Sequence, residues 1–400
     1  MSEEFFEVVV VGSGFGGAVT ACRAAQAGRD VLVLERGKQY RPGELPERPL
    51  EASTDSWDPS EGLFGLFQVW SFRHLDAVVS SGVGGGSLVH ADVMSRMPEA
   101  WFSANAQDWP LEYSHIEEHY GTVEKMLRPQ PASLALACAG SGQRPGDSFA
   151  AADDCDPEYN PVSENALDVA YLSQAQRCGA EIRPLHEVKR ITAVNGGYEL
   201  DYVVHRPVDL PGESLRRSAG PQPAVTSVFK RVTAKKVVLA AGALGSTWLL
   251  LVNRPGLPCL SGQLGTRFSG SNGDAVGFLR LTNGRLVLDS LSDWPTEKSR
   301  RYLRDVWKTM TTMGRASRSQ LHDIVSSLVS RTTTVAPLGG CPMGRNAMYG
   351  VVDRYGEAFG HPGLFVADGS MLPAPVGANP ALTIAALAER FADRIVQRSQ

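Results

Sequence analysis

What the chain lacks narrows its class first. Of 400 residues, 39 are Lys or Arg and 43 are Asp or Glu, giving a formal net charge of −4. Without a basic surplus there is nothing to neutralise a run of phosphates, so no nucleic-acid partner is expected. The six cysteines, Cys22, Cys138, Cys155, Cys178, Cys259 and Cys341, are scattered with no Cys-x-x-Cys pair and no zinc-like spacing. That predicts reduced thiols and no metal site. Long apolar runs are missing as well: Val8 to Val11 is too short to span a bilayer, which predicts no stable membrane insertion. The opening residues, Met-Ser-Glu-Glu, are acidic where a secretory signal is basic, so the expected compartment is the cytoplasm. A small diffusible substrate remains the default partner.

What is present is ordinary globular material, 43% hydrophobic and 20% charged, in a length that suits two domains. Val8-Val9-Val10-Val11 is an uninterrupted β-branched run, the pattern of a strand buried on both faces of a parallel sheet. It runs into Gly12-Ser13-Gly14-Phe15-Gly16-Gly17, then a helix-compatible stretch from Ala18 to Ala27, a stop at Gly28, and a second buried strand at Val31 to Leu34. In Gly12-x-Gly14-x-x-Gly17 the first glycine permits the tight turn, the second admits a pyrophosphate to the backbone, and the third lets helix and strand pack closely. Glu35 closes the second strand, where a carboxylate can accept both ribose hydroxyls and repels a 2′-phosphate. NADP is disfavoured. FAD and NAD both stay open on this unit alone.

Further along, Tyr40 to Phe64 reads as an extended surface segment, rich in Pro, Glu, Asp and Ser. Ala77-Val78-Val79 leads into a second glycine cluster, Gly82 to Ser87, and residues 130 to 165 read as a loop or insertion. Ala166 to Gly179 has helical spacing, and Glu181 to Tyr202 alternates as strands around Asn195-Gly196-Gly197. Lys236 to Gly242 is another strand ending in glycine, with a helix from Ser246 to Val252. A strand pair and an amphipathic helix near Arg301 to Met313 are expected within 274–330, then a strand over Leu364 to Gly369 with an acidic residue at its end and a helix from Asn379 to Gln397. His115 and His119, at i, i+4 spacing, would share a helix face, but no third metal ligand accompanies them, so a surface face is the reading.

Five blocks in this order, residues 6–38, Ser81 to His90, Val238 to Ser246, Pro337 to Gly344 and His361 to Ala388, resemble the successive FAD-contact motifs of the glucose-methanol-choline (GMC) oxidoreductases. The likeness is greatest to the cholesterol-oxidase-like branch and spans most of the chain apart from about 130–165 and 278–330. It implies an α/β protein with a discontinuous Rossmann-like FAD-binding domain of GMC type (1–130, 166–274 and 332–400) and a reduced α+β substrate or cap region (131–165 and 275–331). FAD would lie with its pyrophosphate at Gly12, Gly14, Phe15, Gly16 and Gly17 and its ribose at Glu35 and Arg36. Gly82, Gly84, Gly85, Gly86, Ser87 and Leu88 would run along flavin and pyrophosphate, with Val89 and His90 at the ring edge. Val188 would meet the adenine, Ala240, Ala241 and Gly242 the ribose and phosphates, and Asp368 and Gly369 the ribityl chain. Asn379, Pro380 and Thr383 open the last helix, whose N-terminal dipole would favour negative charge on the flavin.

One departure matters for chemistry. This branch pairs a His just before its Pro-Leu-Gly-Gly-Cys-Pro segment with an Asn just before the Pro of the last helix. Asn379 is present, but the His position holds Ala336. Three readings follow: an engineered His-to-Ala change, another base, or a reaction in which flavin only binds. Of the eight histidines, His90 is the preferred substitute base, and a histidine there is also a candidate for covalent flavin attachment. His74 lies close before the second glycine cluster, His186 and His205 belong near the adenine end, and His322 and His361 have no distinguishing context. A second departure is the short stretch between Gly273 and Ala336. It implies a small substrate region, open on one side or closed by a partner subunit in a homo-oligomer.

The resemblance thus implies an FAD-dependent oxidoreductase. It would take hydride from a hydroxyl-bearing or adjacent carbon of a mostly apolar small molecule and pass the electrons to molecular oxygen or another acceptor. Ala336 keeps a flavin-binding isomerase, cyclase or lyase, or a silent binding protein, as alternatives.

Overall fold

Uninterrupted Val and Leu runs bury on both faces, and in the computed structural model they form the centre of the main sheet. The structure describes residues 4–41, 44–45, 55–73, 75–89, 93–105, 109–127, 129–131, 148–151, 167–206, 227–270, 276–290, 332–376 and 379–397. Strands β1 (Glu4–Val11), β2 (Val31–Leu34), β3 (Glu181–Arg183), β4 (His186–Val194), β5 (Gly197–Val204), β6 (Val228–Leu239) and β7 (Leu364–Val366) share one seven-stranded sheet. Val8 to Val11 and Val31 to Leu34 are at most 5% exposed, and each such side chain contributes on the order of 1.5–3 kcal/mol by leaving water.

The sheet is organised by β6, which is long enough to have two partners along one edge. Its first half pairs antiparallel with β5 from Val228↔Val204 to Ala234↔Tyr198, and its second half pairs parallel with β7 from Val237↔Leu364 to Leu239↔Val366. Its other edge pairs parallel with β1 from Val232↔Glu4 to Leu239↔Val11. A three-stranded meander, β4 to β6, thereby grows out of the parallel part of the sheet. The turn after β3 returns the chain to β2, where Leu185 N–H donates to Gly37 O and His186 N–H to Glu35 O.

Helix α1 (Phe15–Gln26) joins β1 to β2, α2 (Gly242–Val252) follows β6, and α3 (Ala381–Ile395) follows β7. A buried carboxylate binds the helices together: Glu389 of α3 accepts from Arg23 Nε and Nη2 of α1 at 2.7 Å each and from Tyr171 Oη at 2.7 Å. Lys236 of β6 donates to the carbonyls of Arg394, Ile395 and Gln397, satisfying the end of α3 where a cation is favoured. A smaller apolar cluster, with Phe72, Leu75, Phe268, Leu279 and Leu286, lies among two further three-stranded sheets. No helix among the described residues is long and apolar enough to cross a membrane.

Three local readings change. Within the supposedly surface segment 40–64, Trp57 is 4% exposed and pairs its strand with Leu63–Phe64 around a 3-10 turn at Pro59–Glu61. Its ring meets Phe64 and His205 at 5.7 and 5.6 Å. Trp57 is buried in a stretch whose neighbours Asp58 and Ser60 to Gly62 stay exposed, so one aromatic anchors an otherwise solvated segment. The helix expected over 166–179 is present over 167–177, but its first part, Asp168–Leu172, is a π-helix that passes into an α-helical turn at Ser173–Arg177. His115 and His119 do not share a helix: His115 ends a 3-10 turn, its Nδ1 accepting from Glu112 N–H, and the helix begins at Glu117.

Where β4 meets the end of β5, Glu187 accepts from His205 Nε2 at 2.9 Å and from Lys189 Nζ at 2.7 Å. Burial opposes its charge, but these partners outweigh it and hold the carboxyl down at about 2 instead of 4.5. A depressed carboxylate contributes stability that is complete above its unfolded value and lost as pH falls through its folded one. Glu187→Gln should therefore lower the thermal midpoint at neutral pH, with the gap to wild type closing as pH falls from 4.5 toward about 2. A gap that stays constant through that window would contradict the assignment.

Candidate functional site

The site begins where β1 turns into α1. Gly12 has φ +95°, and a Cβ there would sit 2.4 Å from Ala240 O. Gly16 is tighter still, with Ala367 O 1.5 Å from where a Cβ would stand. The carboxyl ends of β1, β6 and β7 thus meet backbone to backbone at the mouth of α1. The first intrahelical bond runs from Ala18 N–H to Gly14 O. The amides of the first turn therefore face the helix mouth, with the positive end of the helix dipole behind them.

The second glycine cluster lies directly on this turn. Gly85, at φ +57°, would place a Cβ 2.8 Å from Gly14 Cα, whereas a Cβ on Gly86 would meet nothing within 4 Å. The cluster then turns into a 3-10 segment, Gly85–Val89, with Ser87 Oγ donating to Gly84 O at 2.9 Å. A bare backbone surface lined by Gly14 and Gly86 results. Its shape fits a dinucleotide, which needs close amide approach and no side chains in the way.

Glu35 stands at one end of this surface and is 5% exposed. Its Oε2 accepts from Ser13 N–H at 3.0 Å and Ser13 Oγ at 2.7 Å, and its Oε1 from Gly37 N–H at 2.9 Å. Three donors leave acceptor capacity on a group with about four lone-pair positions. Burial pushes its pKa up, against the hydrogen bonds from Gly37 and Ser13. Arg36 is directed elsewhere: its Nη1 donates to Gln68 at 2.6 Å and its guanidinium lies 5.7 Å from the Trp57 ring centre. Val188 is buried on β4, just before a register shift between Val188 and Arg190.

A second buried carboxylate, Asp368, ties the far side together. Its Oδ2 accepts from Gly242 N–H at 2.9 Å and Ser246 Oγ at 2.5 Å, and its Oδ1 from Ser370 N–H and Oγ at 2.8 and 2.6 Å. Desolvation raises its pKa, against the donors Ser246, Ser370 and Gly242. The Ala240-Ala241-Gly242 turn is thereby fixed to Gly369, and Gly339 N–H donates to Gly369 O at 2.9 Å. Ala336 is half-buried at the start of that segment, just beyond the strand Thr332–Thr334. At the mouth of α3, Asn379 Oδ1 accepts from Ala381 N–H at 3.0 Å, which turns the amide nitrogen away from the helix. Pro380 is buried, and the Thr383 hydroxyl shares a hydrogen bond of 2.9 Å with buried Tyr120. Trp101 Nε1 donates to Pro375 O at 2.9 Å in the loop leading to Asn379.

All five sequence blocks therefore converge. His90, His74 and His322 lie outside the described residues. Of the cysteines, Cys22, Cys178, Cys259 and Cys341 are free thiols, while Cys138 and Cys155 lie outside the described residues. No cluster of three His, Cys, Asp or Glu able to hold a metal occurs among the described residues. Sequence reasoning missed Ser13, Ser246 and Ser370, the donors that make two buried carboxylates tolerable. Each is a small polar residue in a glycine-rich turn, and nothing in its own neighbourhood names its partner.

Comparison with known proteins gives the same class. A family model described as "GMC oxidoreductase" matches residues 289–388, and one described as "NAD(P)-binding Rossmann-like domain" matches residues 10–43. Over 542 aligned positions the chain is 23% identical to a cholesterol oxidase of Acinetobacter baumannii, covering 96% of this chain and 93% of the relative. A cholesterol oxidase of Mycobacterium tuberculosis is 24% identical over 97% of this chain and 90% of the relative. Both alignments run well beyond 400 positions, so these relatives carry stretches with no counterpart here. Among solved structures, pyridoxine 4-oxidase from Mesorbium loti shares the fold, with TM-score 0.62 and 16% identity, covering 97% of this chain and 99% of that one. The fold is Rossmann-like, and the comparisons support an oxidoreductase. The family-model match and these relatives support the GMC oxidoreductase family and its cholesterol-oxidase-like branch.

The two kinds of glycine at the mouth can be told apart. Gly16→Ala forces a methyl into Ala367 O and should abolish soluble expression or lower the thermal midpoint by many degrees. Gly86→Ala meets open space and should leave the apoprotein midpoint within a degree or two while weakening dinucleotide retention roughly tenfold or more, the effect of one badly placed methyl in a close contact. Thermal unfolding and ligand titration of both variants check this. Equal loss of stability in the two would contradict it.

Proposed function

We propose that the chain binds FAD and is an oxidoreductase that takes hydride from a hydroxyl-bearing, or adjacent, carbon of a mostly apolar small molecule. What supports the reading is the convergence at the mouth of α1, where two glycine segments offer backbone amides between the buried carboxylates Glu35 and Asp368. Gly12 to Gly17 would hold the pyrophosphate, with Glu35 the ribose hydroxyls and Val188 the adenine. Gly82 to Val89 would follow the flavin side, and Ala240 to Gly242 with Asp368 and Gly369 would close the rear. His90 would sit at the ring edge, and Asn379, Pro380 and Thr383 would face the flavin from α3. The described division, with 1–130, 166–274 and 332–400 forming the FAD unit and 131–165 and 275–331 the substrate side, belongs to the same reading.

Bound FAD would supply the hydride acceptor and return the electrons to oxygen or another acceptor. The chain's own residues divide the remaining work. The amide nitrogen of Asn379, turned out of the helix, is placed to donate to a substrate oxygen, and the dipole of α3 favours negative charge near its mouth. The histidine that would hold or move the hydroxyl proton is replaced by Ala336, which can do neither. Its supporting backbone is nevertheless intact: Leu338 pairs with Ser269 in both directions at 2.9 Å, and Gly339 is held on Gly369.

Ala336→His should therefore enter without remodelling. With an alcohol substrate it should speed anaerobic bleaching of the visible flavin band by roughly 10²–10⁴-fold, the worth of one acid-base group. No gain with a verified substrate would defeat this account and favour His90 as base, or a reaction in which flavin is only a scaffold, as in an isomerase, cyclase or lyase.

A pH dependence follows from Glu35. Ribose hydroxyls donate to the charged carboxylate, while burial raises the pKa of the empty site. FAD retention should be complete above that raised pKa and fall as pH drops through it. Glu35→Gln should bind FAD more weakly with a flat profile. A wild-type affinity that rises on acidification would contradict the role of Glu35.

A further inference from the structure

Ser13 occupies one of the unspecified positions of the first glycine motif, and it is fully buried. Its N–H and hydroxyl both donate to Glu35 Oε2, at 3.0 and 2.7 Å. The same hydroxyl oxygen accepts from Gly84 N–H at 3.0 Å and lies 3.4 Å from Gly82 O. A hydroxyl has one proton, and the shorter contact to the carboxylate takes it, so the group accepts from Gly84 and donates to Glu35 in one directed chain. Such chains polarise along their length, each bond strengthening the next. Glu35 and Gly84 lie in separate parts of the sequence; the segments that carry them are bridged at Lys38 and Gly82, with Val83 N–H donating to Lys38 O at 3.0 Å, and Ser13 adds a side-chain link between the two residues themselves. Ser13 Oγ is the atom that both contact.

We propose that Ser13 is a positioning residue that couples the two halves of the cofactor site: it sets the Gly84–Ser87 backbone, which would face the flavin half, to the carboxylate that would hold the adenosine ribose. The inference rests on the FAD reading above and assigns within it a residue outside the glycine pattern. A ligand that carries only the adenosine and phosphates would touch Glu35, the mouth of α1 and the pyrophosphate end of the second glycine cluster. One that also carries the flavin must fit the Gly84–Ser87 segment as well. Loss of the hydroxyl therefore has unequal consequences for the two ligands. Ser13 N–H still serves Glu35 and Val83 N–H still holds Lys38 O, but Gly84 N–H loses its buried acceptor and the Gly84–Ser87 end of the segment is no longer fixed to Glu35.

The test is titration of apoprotein with FAD and with ADP, for wild type, Ser13→Ala and Ser13→Thr, together with the thermal midpoint of each apoprotein. In Ser13→Ala, FAD affinity should fall by roughly tenfold more than ADP affinity, as for one buried hydrogen bond, with the apoprotein still cooperatively folded. Ser13→Thr keeps the oxygen and should restore the ratio of the two affinities. Equal losses for both ligands, or no loss for either, would overturn the proposal. So would a Ser13→Ala chain that no longer folds, since the hydroxyl would then be a requirement of the fold. Wild-type apoprotein that takes up ADP but no FAD would bring down the cofactor reading itself, and this proposal with it.

Discussion

Bare backbone at the mouth of α1 is the constraint on which the remainder of the structure depends. Gly12 against Ala240, Gly16 against Ala367 and Gly85 against Gly14 are contacts in which a single methyl would overlap main-chain atoms. They draw together the ends of β1, β6 and β7 and the second glycine cluster, and they are met only if every segment arrives in register. The fork in β6 provides that register, because one strand is held by β1 on one edge and by β5 and then β7 on the other.

Stripping side chains from the mouth moves its electrostatics to the flanks. Two carboxylates are buried there, and burying a charge is unfavourable unless it is well hydrogen-bonded. Glu35 and Asp368 meet this with three and four donors, drawn from backbone amides and from Ser13, Ser246 and Ser370. The two sets differ in consequence. Asp368 is spent on holding Gly242 and Ser370 in place, whereas Glu35 keeps acceptor capacity for a ligand. One carboxylate fixes the surface, and the other is left able to read what lies on it.

The parts of this arrangement legible in the sequence are those where burial or contact leaves a mark on residue type. Val8 to Val11 and Val31 to Leu34 are readable because a strand covered on both faces has no polar alternation, and the glycine clusters because backbone contact excludes every other residue. The first half of β6 was not readable: Val228 to Lys235 is half exposed and polar, so only the buried end from Lys236 carried a signal. Trp57 and Phe64 were lost in a polar average, and the shared helix face of His115 and His119 failed because spacing alone does not say where a helix starts. Ser13 stands in a position that the motif leaves open, and its partners lie 22 and 71 residues away. Tertiary hydrogen bonds of this kind have no local signature.

The chain departs from the cholesterol oxidases in length, since their alignments carry stretches absent here, and from the pattern that the sequence resemblance implies, since Ala336 stands on an intact backbone support where that pattern has a histidine. Both departures are meaningful only if the mouth of α1 holds a flavin. The most direct measurement is the absorption spectrum of the purified protein, before and after FAD is added to apoprotein and unbound ligand removed. The proposed function predicts the two visible bands of oxidised flavin, in an amount approaching one per chain. Protein that has no visible absorption and takes up no FAD when it is supplied would contradict the account.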